Sequence, residues 1–282
     1  VALAVAALVF ALFTVISNVI LFIAIVLRSS RNKTAHKSYM TFMFMSSMAV
    51  SDSILGALVM PLSVVPIIQN GQWNLGKVTC SVYLAVTNIV CSVNACHILC
   101  MAVDKYIAVC RPLQYRLMKK LTARVMICAS WIFPIALTLL PKINGFDKMG
   151  LELADQWIDG RNLCFNVLNR GVFVSYLILS FYGPIIVTYF LYARIFTEIW
   201  CFNNRSPHNH HISTDSRIPR HISRHMRAIR TIGCIVAAFT VSWIPTSLYL
   251  VTIQYTGYDQ PKWSVLLFFW FSFLNSTINP FL

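Results

Sequence analysis

Charge-free runs recur along this chain with only short charged blocks between them. Stretches without Asp, Glu, Lys or Arg cover residues 1–27, 53–76, 78–103, 125–141, 171–193, 231–258 and 263–282, and the second reaches back through Asp52 to about Ser38. A helix rises about 1.5 Å per residue and the hydrocarbon core of a bilayer is about 30 Å thick, so roughly 20 apolar residues span it. Even the shortest run, 125–141, lies within that range. The pattern predicts helices over about 1–27, 38–68, 77–109, 125–141, 171–199, 226–255 and 263–282, which is an all-α membrane protein: one seven-transmembrane helix bundle over residues 1–282.

Composition agrees with that pattern and excludes a soluble enzyme, since 57% of residues are hydrophobic, 11% are charged and the mean hydropathy is +0.67. The net charge of +14 would suit nucleic acid only if the charges were gathered on one face, and here they lie in short blocks between apolar runs. Of 23 Lys and Arg residues, 17 fall in the connectors 28–37, 104–124 and 194–230. By the positive-inside rule these connectors are cytoplasmic, which puts the N-terminus outside and the C-terminus inside. Asp147, Glu152, Asp155, Asp159 and Asp259 fall on the outer side. Residues 1–27 lack the charged leader and cleavage-like end of a signal peptide. The chain starts without Met and stops two residues after Pro280, so both tails are expected to lie beyond it. The sequons at Asn32, Asn204 and Asn275 fall on the cytoplasmic side or within the last span, and are read as chance matches.

Of nine cysteines, only Cys80 and Cys164 face the oxidising compartment, so topology leaves one pair to form. That bridge would hold the 142–170 loop across the mouth of the bundle. Cys91, Cys96, His97 and Cys100 lack paired ligand spacing and are read as packing residues. Polar residues inside the spans need partners or a function. Asp52 lies about 15 residues, or roughly 22 Å, beyond the cytoplasmic basic block and therefore near mid-membrane. Asn18, Asn94, Asn275 and Asn279 are expected at the same depth, and an acid ringed by amides suits a hydrated monovalent cation, or a water network in which the acid is protonated. Helix–helix hydrogen bonding is the plainer alternative. Pro134, Pro184, Pro245 and Pro280 lie inside spans, where each removes a backbone hydrogen bond and kinks its helix. A channel or transporter would use kinks too, but no internal repeat accompanies them.

Taken in order, these residues resemble the rhodopsin-like (class A) G protein-coupled receptors over essentially the whole chain. The resemblance rests on Asn18 in Ser-Asn-Val, Asp52 in Met-Ala-Val-Ser-Asp, Trp73 in Trp-Asn-Leu-Gly before Cys80, and Asp104-Lys105-Tyr106 followed by Pro112-Leu113-Gln114-Tyr115. It continues with Trp131, Pro184, Tyr192, Phe239, Trp243-Ile244-Pro245 and Asn279-Pro280. Residues 270–276, Trp-Phe-Ser-Phe-Leu-Asn-Ser, look like the aminergic pattern of the seventh helix. The resemblance implies a multi-pass plasma-membrane receptor embedded in the lipid bilayer. Such a receptor binds an extracellular small molecule, activates a heterotrimeric G protein and has no catalytic chemistry of its own.

One residue of the aminergic pattern is missing. Where those receptors carry the aspartate that pairs with a ligand ammonium, this chain has Thr87, followed by Asn88. The aromatic pair after the sixth-helix proline is replaced by Thr246 and Ser247. By position, the implied pocket is Thr87, Asn88, Cys91, Tyr176, Ser180, Trp243, Thr246, Ser247, Phe269 and Phe273, which suits either a biogenic-amine-like or a neutral small molecule. Phe273 stands where opsins bind retinal through a lysine. The implied sodium or water site is Asp52, Asn94, Asn275 and Asn279, and no other cofactor is expected. The implied switch residues are Asp104, Lys105, Tyr106, Pro184, Tyr192, Phe239, Trp243, Pro245 and Pro280. Lys105 replaces an arginine whose planar fork a lysine lacks, and Ala95 removes bulk beside Phe239. With Arg224, His225 and Arg227 where an acid often restrains that arginine, these departures point to appreciable basal output and modest maximal coupling. The 194–230 connector, with His208, His210 and His211, offers a basic surface to anionic lipid or the G protein.

Overall fold

A computed structural model describes residues 2–31, 39–146, 150–151, 160–165, 168–204, 220–256 and 262–282. The loop acids, His208, His210, His211 and the side chains of Arg224 and His225 lie outside the described residues. Seven long helices appear. α1 is Ala2–Arg31, and α2 begins as Tyr39–Ile54 and continues through a wide turn at Leu55–Val59 into Met60–Ser63 and Val65–Ile68. α3 is Lys77–Cys110 and α4 is Lys120–Ile143. α5 begins as Arg170–Leu177, widens at Ile178–Tyr182 and continues as Gly183–Asn204. α6 is Arg220–Thr256, and α7 is Lys262–Ile278 followed by a tight turn, Asn279–Phe281. Six of these are apolar and long enough to cross a bilayer. α7, at 17 residues, is the short one.

The helices overrun the charge-free windows because a helix need not stop where the bilayer does. α3 reaches Cys110, α4 starts at Lys120 rather than near 125, and α6 starts at Arg220 rather than 226. Counting uncharged residues finds the part in lipid and misses the basic ends outside it. A short cytoplasmic helix, Pro112–Leu117, follows α3 and starts with proline where a missing N–H costs nothing.

Burial follows the requirement of a lipid solvent. Ile186, Phe190, Phe196, Val241 and Leu248 face outward, whereas Asp52, Asn18, Asn94, His97 and Lys105 are buried among the helices. Polar groups find partners inside because hydrocarbon offers none. α3 is the hub and packs on α2, α4, α5 and α6, while α1 packs on α2 and α7. The two wide turns precede or meet prolines: Gly183 N–H reaches back to the Ile178 carbonyl just before Pro184, and Met60 N–H to Leu55 just before Pro61. A residue that cannot donate forces its neighbour to bond five positions back, and the extra residue re-aims the outer end of the helix. Gly56 sits in the wide turn of α2, where a Cβ would stand 2.9 Å from Val15 on α1.

Candidate functional site

Four layers of residues run through the bundle from outside to inside. The outer layer is a cavity of about 580 Å³ between the outer halves of α2, α3, α5, α6 and α7. The disulfide Cys80–Cys164, with Cα atoms 5.6 Å apart, ties the start of α3 to the loop above it. Trp73 N–H donates to the Asn162 carbonyl at 2.6 Å, so the same loop is held from the α2–α3 connector as well. Gly76, at φ +84°, caps α3 in a conformation that side chains disfavour.

Of the ten pocket positions inferred from sequence, Thr87, Asn88, Cys91, Tyr176, Ser180, Trp243, Ser247 and Phe269 line this cavity. Thr246 and Phe273 do not. The Thr246 hydroxyl is buried and donates to the Phe268 carbonyl of α7 at 2.7 Å, so it fastens two helices instead of facing a ligand. Phe273 is fully buried in the packing behind Phe269 and Trp270. The hydroxyl of Thr246 turns toward a carbonyl on the neighbouring helix and away from the cavity. The walls also include Ser92, Phe181, Gln254 and Trp270, which the sequence reading did not single out. Ser92 and Tyr176 hydroxyls are 2.7 Å apart, and Tyr176 also donates to the Asn88 carbonyl at 2.8 Å, which joins α3 to α5. Among the described residues, Arg161 is the charged group of the lining, and no carboxylate belongs to it.

Beneath the cavity lies an aromatic layer. Phe181 stands 5.7 Å from both Phe239 and Trp243, and Phe239 and Trp243 are 5.9 Å apart. Phe181 thus links the wide turn before Pro184 to the helix that carries Pro245. Ala95 packs in the same cluster as Phe239.

The mid-membrane layer gathers on Asp52. Asn94 donates to Oδ1 of Asp52 at 2.6 Å and Asn279 donates to Oδ2 at 2.9 Å. Ser276 is a further hydrogen-bond partner of Asp52, and Ser51 donates to the amide oxygen of Asn94. Asn18 joins α1 to α7 instead, donating to the Thr14 and Ser276 carbonyls at 2.9 Å each. The amide oxygens of Asn275 and Asn279 are buried without a hydrogen-bond partner. Serines at positions 51 and 276 carry no pattern that would have marked them in the sequence. They matter here only because the fold turns them inward.

At the cytoplasmic end, Lys105 is fully buried and its Nζ lies 2.6 Å from Oδ2 of Asp104. Thr41 on α2 contacts Lys105 and donates to Asp104 at 2.8 Å. Burial, and then the Asp104 carboxylate beside it, push the Tyr115 phenol well above the usual tyrosine range, so it stays protonated and serves as a donor to that carboxylate. Tyr106 and Tyr192 pack with Val109, Ile195 and Ile229, and the Tyr192 hydroxyl reaches the Ile229 carbonyl of α6 at 3.3 Å. The expectation of appreciable basal output rested in part on a missing acid in α6. The structure supplies another restraint, a pair of neighbours on α3 closed by Thr41. Thr41→Val keeps the shape and removes the hydroxyl, and basal second-messenger output is expected to rise about two- to fivefold at equal surface level, in line with the roughly 0.6 kcal/mol typical of an interhelical hydrogen bond in a membrane. No rise would show that Thr41 does not restrain Lys105.

The comparisons with known proteins accord with this arrangement. Residues 17–282 match the family described as 7 transmembrane receptor (rhodopsin family). The chain is 29% identical over 272 residues to trace amine-associated receptor 1 of Mus musculus, covering 95% of this chain and 80% of that receptor. It is 30% identical over 244 residues to trace amine-associated receptor 8c of Mus musculus, covering 83% and 70%. It is 26% identical over 261 residues to 5-hydroxytryptamine receptor 4 of Homo sapiens, covering 85% and 66%.

Proposed function

The chain belongs to the rhodopsin family of seven-transmembrane receptors, and on that footing we propose that its ligand is an aromatic small molecule held by neutral hydrogen bonds rather than by an ammonium–carboxylate pair. The protein is a multi-pass plasma-membrane receptor that transduces binding of an extracellular small molecule to a heterotrimeric G protein. Receptors are not enzymes, and the transporter or channel alternative is not favoured. The observation that carries the ligand reading is the lining itself: Thr87, Asn88, Ser92, Tyr176, Ser180 and Ser247 among aromatic rings, with no carboxylate among the described residues. An ammonium taken from water into such a cavity would keep much of its desolvation penalty and find no carboxylate to pair with.

The relatives named for trace amines and 5-hydroxytryptamine favour a second reading, in which an amine of the same size binds. Tyrosol and tyramine separate the two, since they differ only in a hydroxyl where the other carries an ammonium. Receptor-stimulated nucleotide exchange on a G protein is expected at a lower concentration of tyrosol than of tyramine. The reverse order would establish the amine reading.

We also propose that the Asp52 layer holds a sodium ion. The residues fit one: the donors are hard oxygens, Asp52 supplies charge, and the amide oxygens of Asn275 and Asn279 are buried without hydrogen-bond partners. Bound sodium would offset the cost of an ionised carboxylate at mid-membrane. Asp52, Asn275 and Asn279 would hold it, with Asn94 orienting the carboxylate.

A further inference from the structure

The face of α5 that meets α6 carries tyrosines whose hydroxyls bond to α6. Tyr182 and Ser247 oxygens are 3.0 Å apart, and Tyr189 donates to Thr240 at 3.0 Å. The two pairs are seven residues apart on both helices, about two turns or 10.5 Å. They flank the level of Trp243 and Pro245, where α6 must pivot if its inner end is to move. Of the four residues, only Ser247 lines the ligand cavity.

The hydrogen-bond inventory at Ser247 restricts what can happen there. A serine has one proton to donate and two lone pairs to accept with. The Ser247 proton goes to the Ile244 carbonyl at 2.9 Å, so its oxygen accepts from the Tyr182 phenol. An occupant of the cavity that replaces Tyr182 at this oxygen must therefore be a donor: a hydroxyl or an N–H, not an ether or a carbonyl. Thr246, the preceding residue, is fixed to Phe268 on α7, so the exchange at Ser247 acts on the α5 side alone.

We propose that Ser247 is the ligand-sensing and specificity-determining residue of this receptor, and that a ligand donor frees α6 from α5 by displacing the Tyr182 phenol from the Ser247 oxygen. The proposal rests on the receptor reading and specifies the ligand further, as an aromatic molecule with a hydrogen-bond donor at the depth of Trp243. A ligand shifts a two-state equilibrium only through its different affinity for the two states. Here that difference is one hydrogen bond, made to Tyr182 in the resting state and to the ligand in the released state.

The test measures nucleotide exchange on a G protein by the full-length receptor in lipid nanodiscs, at equal receptor amounts, with and without tyrosol. Tyr182→Phe and Ser247→Ala each break the resting bond, and each should raise the basal rate about threefold, the usual size of one interhelical hydrogen bond in a membrane. The double variant should rise no further than either single one. Tyrosol should still stimulate Tyr182→Phe but should require at least about ten times more in Ser247→Ala, which has lost the acceptor. Ser247→Thr, which restores the acceptor hydroxyl, should require less tyrosol than Ser247→Ala. Unchanged basal rates, an additive double variant, or equal tyrosol responses in Tyr182→Phe and Ser247→Ala would overturn the proposal. If tyrosol fails on the parent receptor, the ligand class proposed above is wrong. The basal rates of the three variants still decide whether the Tyr182–Ser247 bond restrains α6.

Discussion

Thr87→Asp is expected to convert this receptor into one that responds to tyramine at low concentration. Thr87 lines the cavity, is nearly buried, and at present spends its hydroxyl on the Tyr83 carbonyl one turn back at 2.7 Å. Aspartate is of similar size, so it enters without repacking and places a carboxylate where the lining has none. A desolvated ammonium–carboxylate pair commonly contributes about 2–5 kcal/mol relative to the unpaired charge, which corresponds to at least about a thirtyfold gain in potency. The same substitution should lower thermal stability without ligand, because an unpaired buried carboxylate is costly, and tyramine should restore it. Tyrosol, with no charge to pair, should gain nothing. If Thr87→Asp leaves the tyramine response unchanged, the cavity at Thr87 is not where an amine would sit, and the comparison with aminergic pockets fails at that residue.

Replacing Asp52 by leucine should be the most destabilising single change in the membrane core. The Asn94 and Asn279 amides both donate to its carboxylate, and leucine leaves two buried donors unpaired at once. Each such orphan costs about 1–3 kcal/mol, so the loss is about 2–6 kcal/mol, a large part of the 5–15 kcal/mol typical of a folded domain. Surface expression and the unfolding temperature of purified receptor should both fall sharply. Asp52→Asn is milder, since one oxygen still accepts, and it isolates the role of charge. Sodium chloride should raise the unfolding temperature of the parent above its value in choline chloride, and Asp52→Asn should unfold alike in both salts. A parent receptor indifferent to the cation would exclude sodium from this layer, and normal stability in Asp52→Leu would mean that its amides find other partners.

The bundle was legible because a bilayer imposes a crude rule. Long charge-free runs and the basic bias of three connectors gave the number of helices and their orientation, and Cys80 and Cys164 could be paired because they alone lay on the outer side. Depth was legible too, since Asn94, Asn279 and Asp52 meet as their spacing suggested. Facing was harder to read. A helical residue turns 100° per position, so Thr246 and its neighbour Ser247 point to different helices, and only the structure shows that one fastens α7 while the other borders the cavity. Small hydroxyl residues were the least legible. Thr41, Ser51, Ser92 and Ser276 are ordinary in composition and acquire roles only through what neighbouring helices bring beside them. The wide turns at Leu55–Val59 and Ile178–Tyr182 were likewise hidden, since a nearby proline predicts a distortion without fixing its form.

In the proposed mechanism, occupancy of the outer cavity is converted into G protein activation. The most direct test reconstitutes the full-length receptor in proteoliposomes with a heterotrimeric G protein, and records nucleotide exchange and solute or ion flux in the same preparation while tyrosol is added. Receptor-dependent exchange should rise with tyrosol, with no flux above that of empty liposomes. Flux that depends on the protein, with no exchange on any G protein supplied, would contradict the mechanism.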